Sequence, residues 1–365
     1  MRFIFLGILI GVTTTIYAQI NRPQTPKSPF PYNSEELTIW NAQDSLNLSG
    51  TLTLPTEGEN FPCAILISGG GETDRDQEYY GHKPFLVIAD YLTRNGIAVF
   101  RYDDRGVGKS TGNHKNSTTL DFARDTEFIV KYLKTHKLLN PEKIGLIGHS
   151  EGAMIAPIVS SKEENAISFI VLMAGPGEKC SKVYLKQQEL VHLSIGRSKK
   201  ETNKTVSIIK KAIRIVCADK NKFELKDKLN THFTNVYKKH KDPDEKDFSS
   251  EEEYVDYWID FFSSEWAYYF FRFEPALYIE KVECPVLVLN GEMDVQVSYK
   301  QNFPKMKKAL KKGGNENAVF KSFPEVNHVF QSCETGSIYE YETSTNTIAP
   351  EVLKFLKKWI IDTVK

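Results

Sequence analysis

The chain has 365 residues, 41% apolar and 26% charged, and its 47 Lys and Arg balance 47 Asp and Glu for a formal charge of zero. That length and composition can bury a full core, as one large domain or two small ones, and exclude a fibrous or disordered protein. A net charge of zero gives no support to binding of nucleic acid or of an anionic membrane surface.

The chain opens on Met1-Arg2, an apolar run from Phe3 to Val12, three threonines, and Tyr17-Ala18-Gln19. This order predicts a signal peptide over 1–18 cleaved after Ala18, with an apolar part too short to span a bilayer. The expected mature protein is secreted or periplasmic, with no stable membrane insertion after cleavage. Its five cysteines are Cys63, Cys180, Cys217, Cys284 and Cys333. Cys63 and Cys284 fall in apolar, strand-like runs and read as small buried hydrophobes. An oxidising compartment would permit one disulfide among Cys180, Cys217 and Cys333, with the pair left open. No C-x-x-C and no His/Cys cluster occurs at metal spacing, so neither metal nor cofactor is expected.

After a Pro-rich leader, segments 36–40 and 46–54 alternate polar and apolar residues and predict paired antiparallel strands with one wet face. The run Cys63–Ile67 predicts a buried strand ending in Ser68-Gly69-Gly70-Gly71. A helix over 83–95 closes at Gly96, a strand covers 97–102, and a helix covers 119–136. The next strand, 143–147, leads into Gly148-His149-Ser150-Glu151-Gly152, followed by a short buried helix and a strand over 169–174. From about 176 to 275 the alternation stops and the pattern turns helical and charged. It resumes with a strand at 286–290, a helix around 303–311, a strand at 318–323 and a helix over 350–361. Strands alternating with helices predict a mostly parallel sheet covered on both faces. The expected organisation is a core over 19–175 and 276–365, interrupted by a helical lid at 176–275.

A strand ending in Gly-x-Ser-x-Gly and running into a helix holds its serine on a tight turn above the sheet edge. In open α/β sheets reacting groups gather at the carboxyl ends of strands, so partners for Ser150 are sought at later strand ends. Asp294 follows the strand at 286–290 and His328 the strand at 318–323, in the chain order Ser…Asp…His. Histidine titrates near neutrality and can take the serine proton, and a carboxylate fixes its tautomer. Glu292 and Glu325 are the fallback acids. The backbone N–H groups of Glu151 and Gly70 are the expected oxyanion donors. Gly106-Val107-Gly108-Lys109-Ser110 mimics a phosphate loop, but Asp103 stands where its first glycine would be. Asp74-Arg75-Asp76 and Asp103-Asp104-Arg105 read instead as ion pairs bracing the loops.

Residues 199–241 hold 13 Lys and Arg against 4 Asp and Glu, whereas 242–260 hold 9 acids against Lys246 alone. Complementary helices with solvated faces are the expected result. The aromatic run from Trp258 to Phe273 is expected to pack the lid onto the core and in part to line an apolar pocket.

The chain resembles the α/β-hydrolase superfamily, and within it the exported, lidded esterases grouped with serine-aminopeptidase-like hydrolases. The resemblance rests on Ser68–Gly71 with Asp74-Arg75-Asp76, on Tyr102–Ser110, on Gly148–Gly152, on Cys284–Asp294 and on Val326–Gln331. It departs at Gly70-Gly71-Glu72, where relatives more often carry Ser-Gly-Pro. The resemblance implies an α/β-hydrolase fold with an eight-stranded-type sheet and a triad of Ser150, Asp294 and His328. The expected activity is hydrolysis of carboxylic esters through an acyl-enzyme, on small-molecule or glycan-linked esters such as plant phenolic esters. A peptidase or amidase on the same triad is the alternative, and a non-catalytic binding module is a third.

Overall fold

Eight strands organise the chain: β1 (Asn33–Asn41), β2 (Leu46–Leu54), β3 (Phe61–Ile67), β4 (Ala98–Tyr102), β5 (Leu139–His149), β6 (Ile170–Met173), β7 (Val286–Gly291) and β8 (Ala318–Phe323). The computed structural model describes residues 22–220, 222–240 and 248–365. The leader predicted at 1–18 lies outside the described residues, as do the acidic residues at 242–247. One sheet takes all eight strands in the order β1-β2-β4-β3-β5-β6-β7-β8. β2 pairs antiparallel with β1 and β4, and every other pair is parallel.

The helices are α1 (Pro84–Thr93), α2 (Thr119–Leu133), α3 (Gly152–Ser160), α4 (Cys180–Ser194), α5 (Lys199–Ala218), α6 (Leu225–His240), α7 (Glu251–Ser263), α8 (Glu265–Phe270), α9 (Ala276–Ile279), α10 (Tyr299–Lys312), α11 (Glu340–Thr343) and α12 (Pro350–Thr363). Strand residues alternate between faces, and both faces of the parallel strands are apolar. Ala64, Leu66, Val99, Ile147, Val171, Leu287 and Leu289 pack with α1 and α12 on one side. Cys63, Ile65, Ile67, Phe100, Leu146, Leu172 and Val288 pack with α2, α3 and α10 on the other. Gly145 is small because Phe169 fills the space beside it: a methyl group there would lie 2.3 Å from the ring.

β4 lies on one side of β3 and β5 on the other, so the chain reverses direction of winding at β3. The loops after β3 and β5 therefore diverge and open a crevice at their carboxyl ends, where α/β proteins place their ligands. The loop after β3 is Ser68–Gly71 and the turn after β5 holds Ser150. The fold itself brings together two stretches about 80 residues apart in sequence.

Helices α4 to α9 occupy the connection between β6 and β7, a helical insertion in the sheet order. Its aromatic residues pack among themselves and, as expected, join the core: Trp258, Phe262, Phe270, Phe271 and Phe273 share one apolar cluster with Ile65, Leu146, Leu172 and Val288 of the sheet. Phe233 stacks on Trp258 and Phe262 at 5.5 and 5.7 Å, and Phe262 stacks on Phe271 at 5.6 Å. Each such ring pair adds to its area burial, and long polar helices need this internal core to be stable. Lys238 pairs with Glu251 across α6 and α7, and Lys222 with Glu265 of α8. All five cysteines are free, and Cys180, at the start of α4 in the insertion, is fully buried against Met154. Among the described residues no helix is long and apolar enough to cross a membrane.

His82, His149 and His192 are buried, and burial pushes their pKa values down to about 4, about 3 and about 4. Their neutral forms are favoured in the fold while the unfolded chain binds a proton near 6.5, so each contributes stability that is full above pH 6.5. Each loses that contribution as pH falls toward its folded value, at about 1.4 kcal/mol per pH unit. The buried carboxyls Asp104 and Glu151, raised mainly by burial, act in the opposite sense between their unfolded and folded values. The histidine contribution is therefore read as a difference. Urea unfolding of wild type and His149→Gln between pH 7 and 4 should show the wild type losing stability more steeply, by about 1.4 kcal/mol per pH unit; parallel curves would contradict the neutral burial of His149.

Candidate active site

The turn from β5 into α3 is set by two glycines. A methyl group on Gly148 would lie 2.1 Å from the Gly152 carbonyl oxygen, and one on Gly152 would lie 2.2 Å from that of Ile67. Only hydrogen fits at either place. Ser150 between them adopts φ 52°, a left-handed conformation that a non-glycine residue rarely takes. Its N–H donates to the Met173 carbonyl at 2.9 Å, which ties the strained residue to the end of β6. Ser150 remains half-buried, so its hydroxyl is reachable.

Asp294 and His328 stand beyond the ends of β7 and β8. His328 donates from Nδ1 to Asp294 Oδ2 at 2.9 Å, and both side chains are buried. The other acceptor positions of Asp294 are filled by N–H groups. Gln296 N and Val297 N reach Oδ1 at 2.7 and 2.8 Å, and Asn290 Nδ2 reaches Oδ2 at 3.0 Å. These three bonds, with the one from His328, fix the orientation of the carboxylate toward the ring. The two loops are interlocked at Gly291, where a methyl group would lie 2.1 Å from the Val326 carbonyl oxygen. Glu292 and Glu325, the fallback acids, are exposed, and Glu292 accepts from Ser322 Oγ instead.

His149 joins this pair to the serine turn. It sits one residue before Ser150, and its Nε2–H donates to the His328 carbonyl oxygen at 3.0 Å, with the two rings 5.0 Å apart. Because Nε2 donates to a carbonyl, Nδ1 is the acceptor, and Gln77 Nε2 donates to it at 2.8 Å. Burial and the neighbouring His328 push the His149 pKa to about 3, so the ring stays neutral and holds this tautomer. Neither residue carries a local signal in the sequence. His149 occupies a variable place in the motif, and Gln77 reaches the site from a loop where its own φ is 52°.

The Ser68–Gly71 loop lies against the same turn, since a methyl group on Gly69 would come 3.3 Å from Ser150 Cβ and one on Gly70 would come 2.9 Å from Glu151 Oε2. Among the described residues no group accepts from the Gly70 or the Glu151 backbone N–H. Two backbone amides without an acceptor thus flank the serine turn. Among the described residues no hydrogen bond joins Ser150 Oγ to His328, a contact that commonly tightens only when substrate is bound.

The loop around 103–110 turns inward on itself. Asp103 accepts from Arg75 Nε and Nη2 and from the backbone N–H groups of Arg75 and Lys109. Its carboxylate lies 2.5 Å from where a side chain at Gly108 would begin, so these amides serve Asp103 rather than a phosphate. The pairings differ in part from the sequence reading. Arg105 turns to Asp125 and Asp44, and Asp104 accepts from Ser68 Oγ at 2.7 Å. Among the described residues no group of three or more His, Cys, Asp or Glu is arranged to hold a metal.

Residues 82–332 match the family described as serine aminopeptidase, S33. Esterase EstD of Thermotoga maritima is 24% identical over 317 residues, 86% of this chain, and the chain spans 65% of that esterase's length. Among solved structures, Est1E from Butyrivibrio proteoclasticus with ferulic acid bound superposes with a TM-score of 0.51 at 16% identity, covering 90% of this chain and 99% of that one. A putative dipeptidyl aminopeptidase IV from Bacteroides ovatus gives a TM-score of 0.53 at 12% identity over 91% of this chain and 36% of that one. These likenesses share one fold. With the eight-stranded sheet, the serine turn after β5 and a family match over most of its length, this chain belongs to the serine aminopeptidase S33 family of α/β-hydrolases.

Proposed function

We propose that the protein is a serine hydrolase that cleaves carboxylic esters through an acyl-enzyme, with Ser150 as nucleophile, His328 as base and Asp294 as its orienting acid. The observation that carries this reading is the strained Ser150 turn at the winding reversal, joined through His149 to a buried His328–Asp294 pair. Ser150 Oγ attacks the ester carbonyl while His328 Nε2 takes its proton. The carbonyl oxygen becomes an oxyanion between the Gly70 and Glu151 amides. Collapse of the tetrahedral species breaks the bond to the alcohol, which leaves with the proton from His328. Water then attacks the acyl-enzyme by the same sequence in reverse roles. His149 and Gln77 act as positioning residues, because they hold the backbone that carries His328.

The helical insertion serves in this reading as a lid, seated on the serine turn through Trp266 and Glu151. The leader at 1–18 supports export and hence extracellular esters. The ferulic acid seen in Est1E and the esterase activity named for EstD favour esters, including phenolic ones. The family description favours a second reading, cleavage of aminoacyl amides by the same groups. Fold and triad do not set the acyl group, so rates must decide.

Ser150→Ala should lower kcat on short p-nitrophenyl esters by about 10^4-fold or more with an unchanged unfolding midpoint; retained turnover would remove Ser150 from the mechanism. Side-by-side rates on p-nitrophenyl, feruloyl and acetylated-sugar esters and on aminoacyl amides should favour an ester. Preference for an amide would select the peptidase reading. His149→Phe should lower kcat by about 10-fold with little change in KM, the mark of a mis-set base rather than lost binding; wild-type kcat would deny His149 its positioning role.

A further inference from the structure

The side chain of Glu151 takes no part in the steps above, yet four parts of the molecule meet on it. Its amide is one expected oxyanion donor. Its Oε1 accepts from Thr119 Oγ1 at 2.6 Å, at the first residue of α2. Both of its oxygens accept from Trp266 Nε1 at 3.0 Å, in the first turn of α8 within the insertion. Its Oε2 lies under Gly70, where an added methyl group would come to 2.9 Å and displace the carboxyl. The carboxyl group is buried, and among the described residues no cation pairs with it. Buried carboxyls are rarely left without a cation, because desolvation is costly. An indole N–H and a hydroxyl are its partners instead.

We propose, resting on the reading of Ser150 as nucleophile, that the Glu151 side chain is a positioning residue through which helix α8 sets the oxyanion hole. The geometry gives the reason. Glu151 is bonded at its tip to α2 and α8 and at its backbone to the nucleophile, so its peptide plane cannot turn without breaking a buried hydrogen bond. The same tip supports Gly70, so one side chain spaces both donors. Trp266 is held in turn by stacking on Phe270 at 4.4 Å, which links the donor spacing to the seating of the insertion.

A full negative charge beside a developing oxyanion would oppose it, and here burial raises the carboxyl toward its neutral form, with Asp104, also raised, as a close neighbour. Position rather than charge is then the requirement. Glutamine, which keeps the length and an acceptor oxygen, should serve nearly as well as glutamate.

The test compares wild type with Glu151→Gln, Glu151→Ala and Trp266→Phe on a p-nitrophenyl ester. It records kcat and KM, together with the inhibition constant of an aryl trifluoromethyl ketone, which forms an oxyanion on addition of the serine. Trp266→Phe removes the N–H and keeps the ring stacked, so it preserves the fold if Glu151→Ala does not. Glu151→Ala should lower kcat about 30-fold and Trp266→Phe about 5-fold with KM within about 2-fold. Ketone binding should weaken in parallel with kcat, and Glu151→Gln should stay within about 3-fold of wild type. Wild-type kcat in Trp266→Phe, a loss confined to KM, or a Gln variant as impaired as the Ala variant would overturn the inference while leaving the nucleophile intact. A wild type without esterase or amidase activity would overturn the reading it rests on.

Discussion

The site depends on one steric constraint, the turn that carries Ser150. A left-handed residue that is not glycine costs on the order of 1–2 kcal/mol, and the chain accepts it between two glycines whose hydrogens touch backbone. Relaxing either glycine would move α3 away from the ends of β3 and β5. The strain is offset by the bond from Ser150 N–H to Met173 and by α3, which lies apolar and buried against the sheet. What results is a hydroxyl held at the one place where the winding of the sheet reverses, beside a loop whose glycines allow backbone to approach it.

Electrostatics around this turn follow from burial and donor supply rather than from ion pairs. Asp294 is surrounded by N–H donors, whereas Glu151 and Asp104 are buried with hydroxyl or indole partners and are raised toward neutrality by desolvation. His149, of the same residue type as His328, is desolvated and neutral and works as a fixed hydrogen-bond link. The charged pairs lie farther out, where Arg75, Arg101 and Arg105 tie the β1–β2 edge and α2 to the loops after β3 and β4. These pairs shape the rim of the crevice, and the uncharged network shapes its floor.

Much of this arrangement is legible in the chain. The alternation of buried runs and amphipathic helices gives the parallel sheet, and the strand-end rule picks out Ser150, Asp294, His328, Gly70 and Glu151 from local pattern alone. Other features follow from tertiary contact and leave no local mark. Glu292 and Asp294 lie two residues apart at the same strand end, and only burial separates the exposed one from the one facing His328. Gln77 and His149 meet across 72 residues. The aromatic run at 258–273 joins the core as its pattern implies, but its ring partners Phe233 and Tyr184 come from other helices of the insertion and carry no local mark. Arg105 finds Asp44 and Asp125, 61 and 20 residues away in sequence, rather than its neighbours, and only the tertiary fold brings them together.

Whether Ser150 is a nucleophile activated by His328 is tested most directly by covalent labelling, which needs no choice of substrate. Protein treated with a fluorophosphonate should gain one adduct by intact mass, mapped to the peptide containing Ser150. The adduct should be absent from Ser150→Ala and form far more slowly in His328→Gln. An adduct on another residue, or a labelling rate indifferent to His328→Gln, would contradict the account.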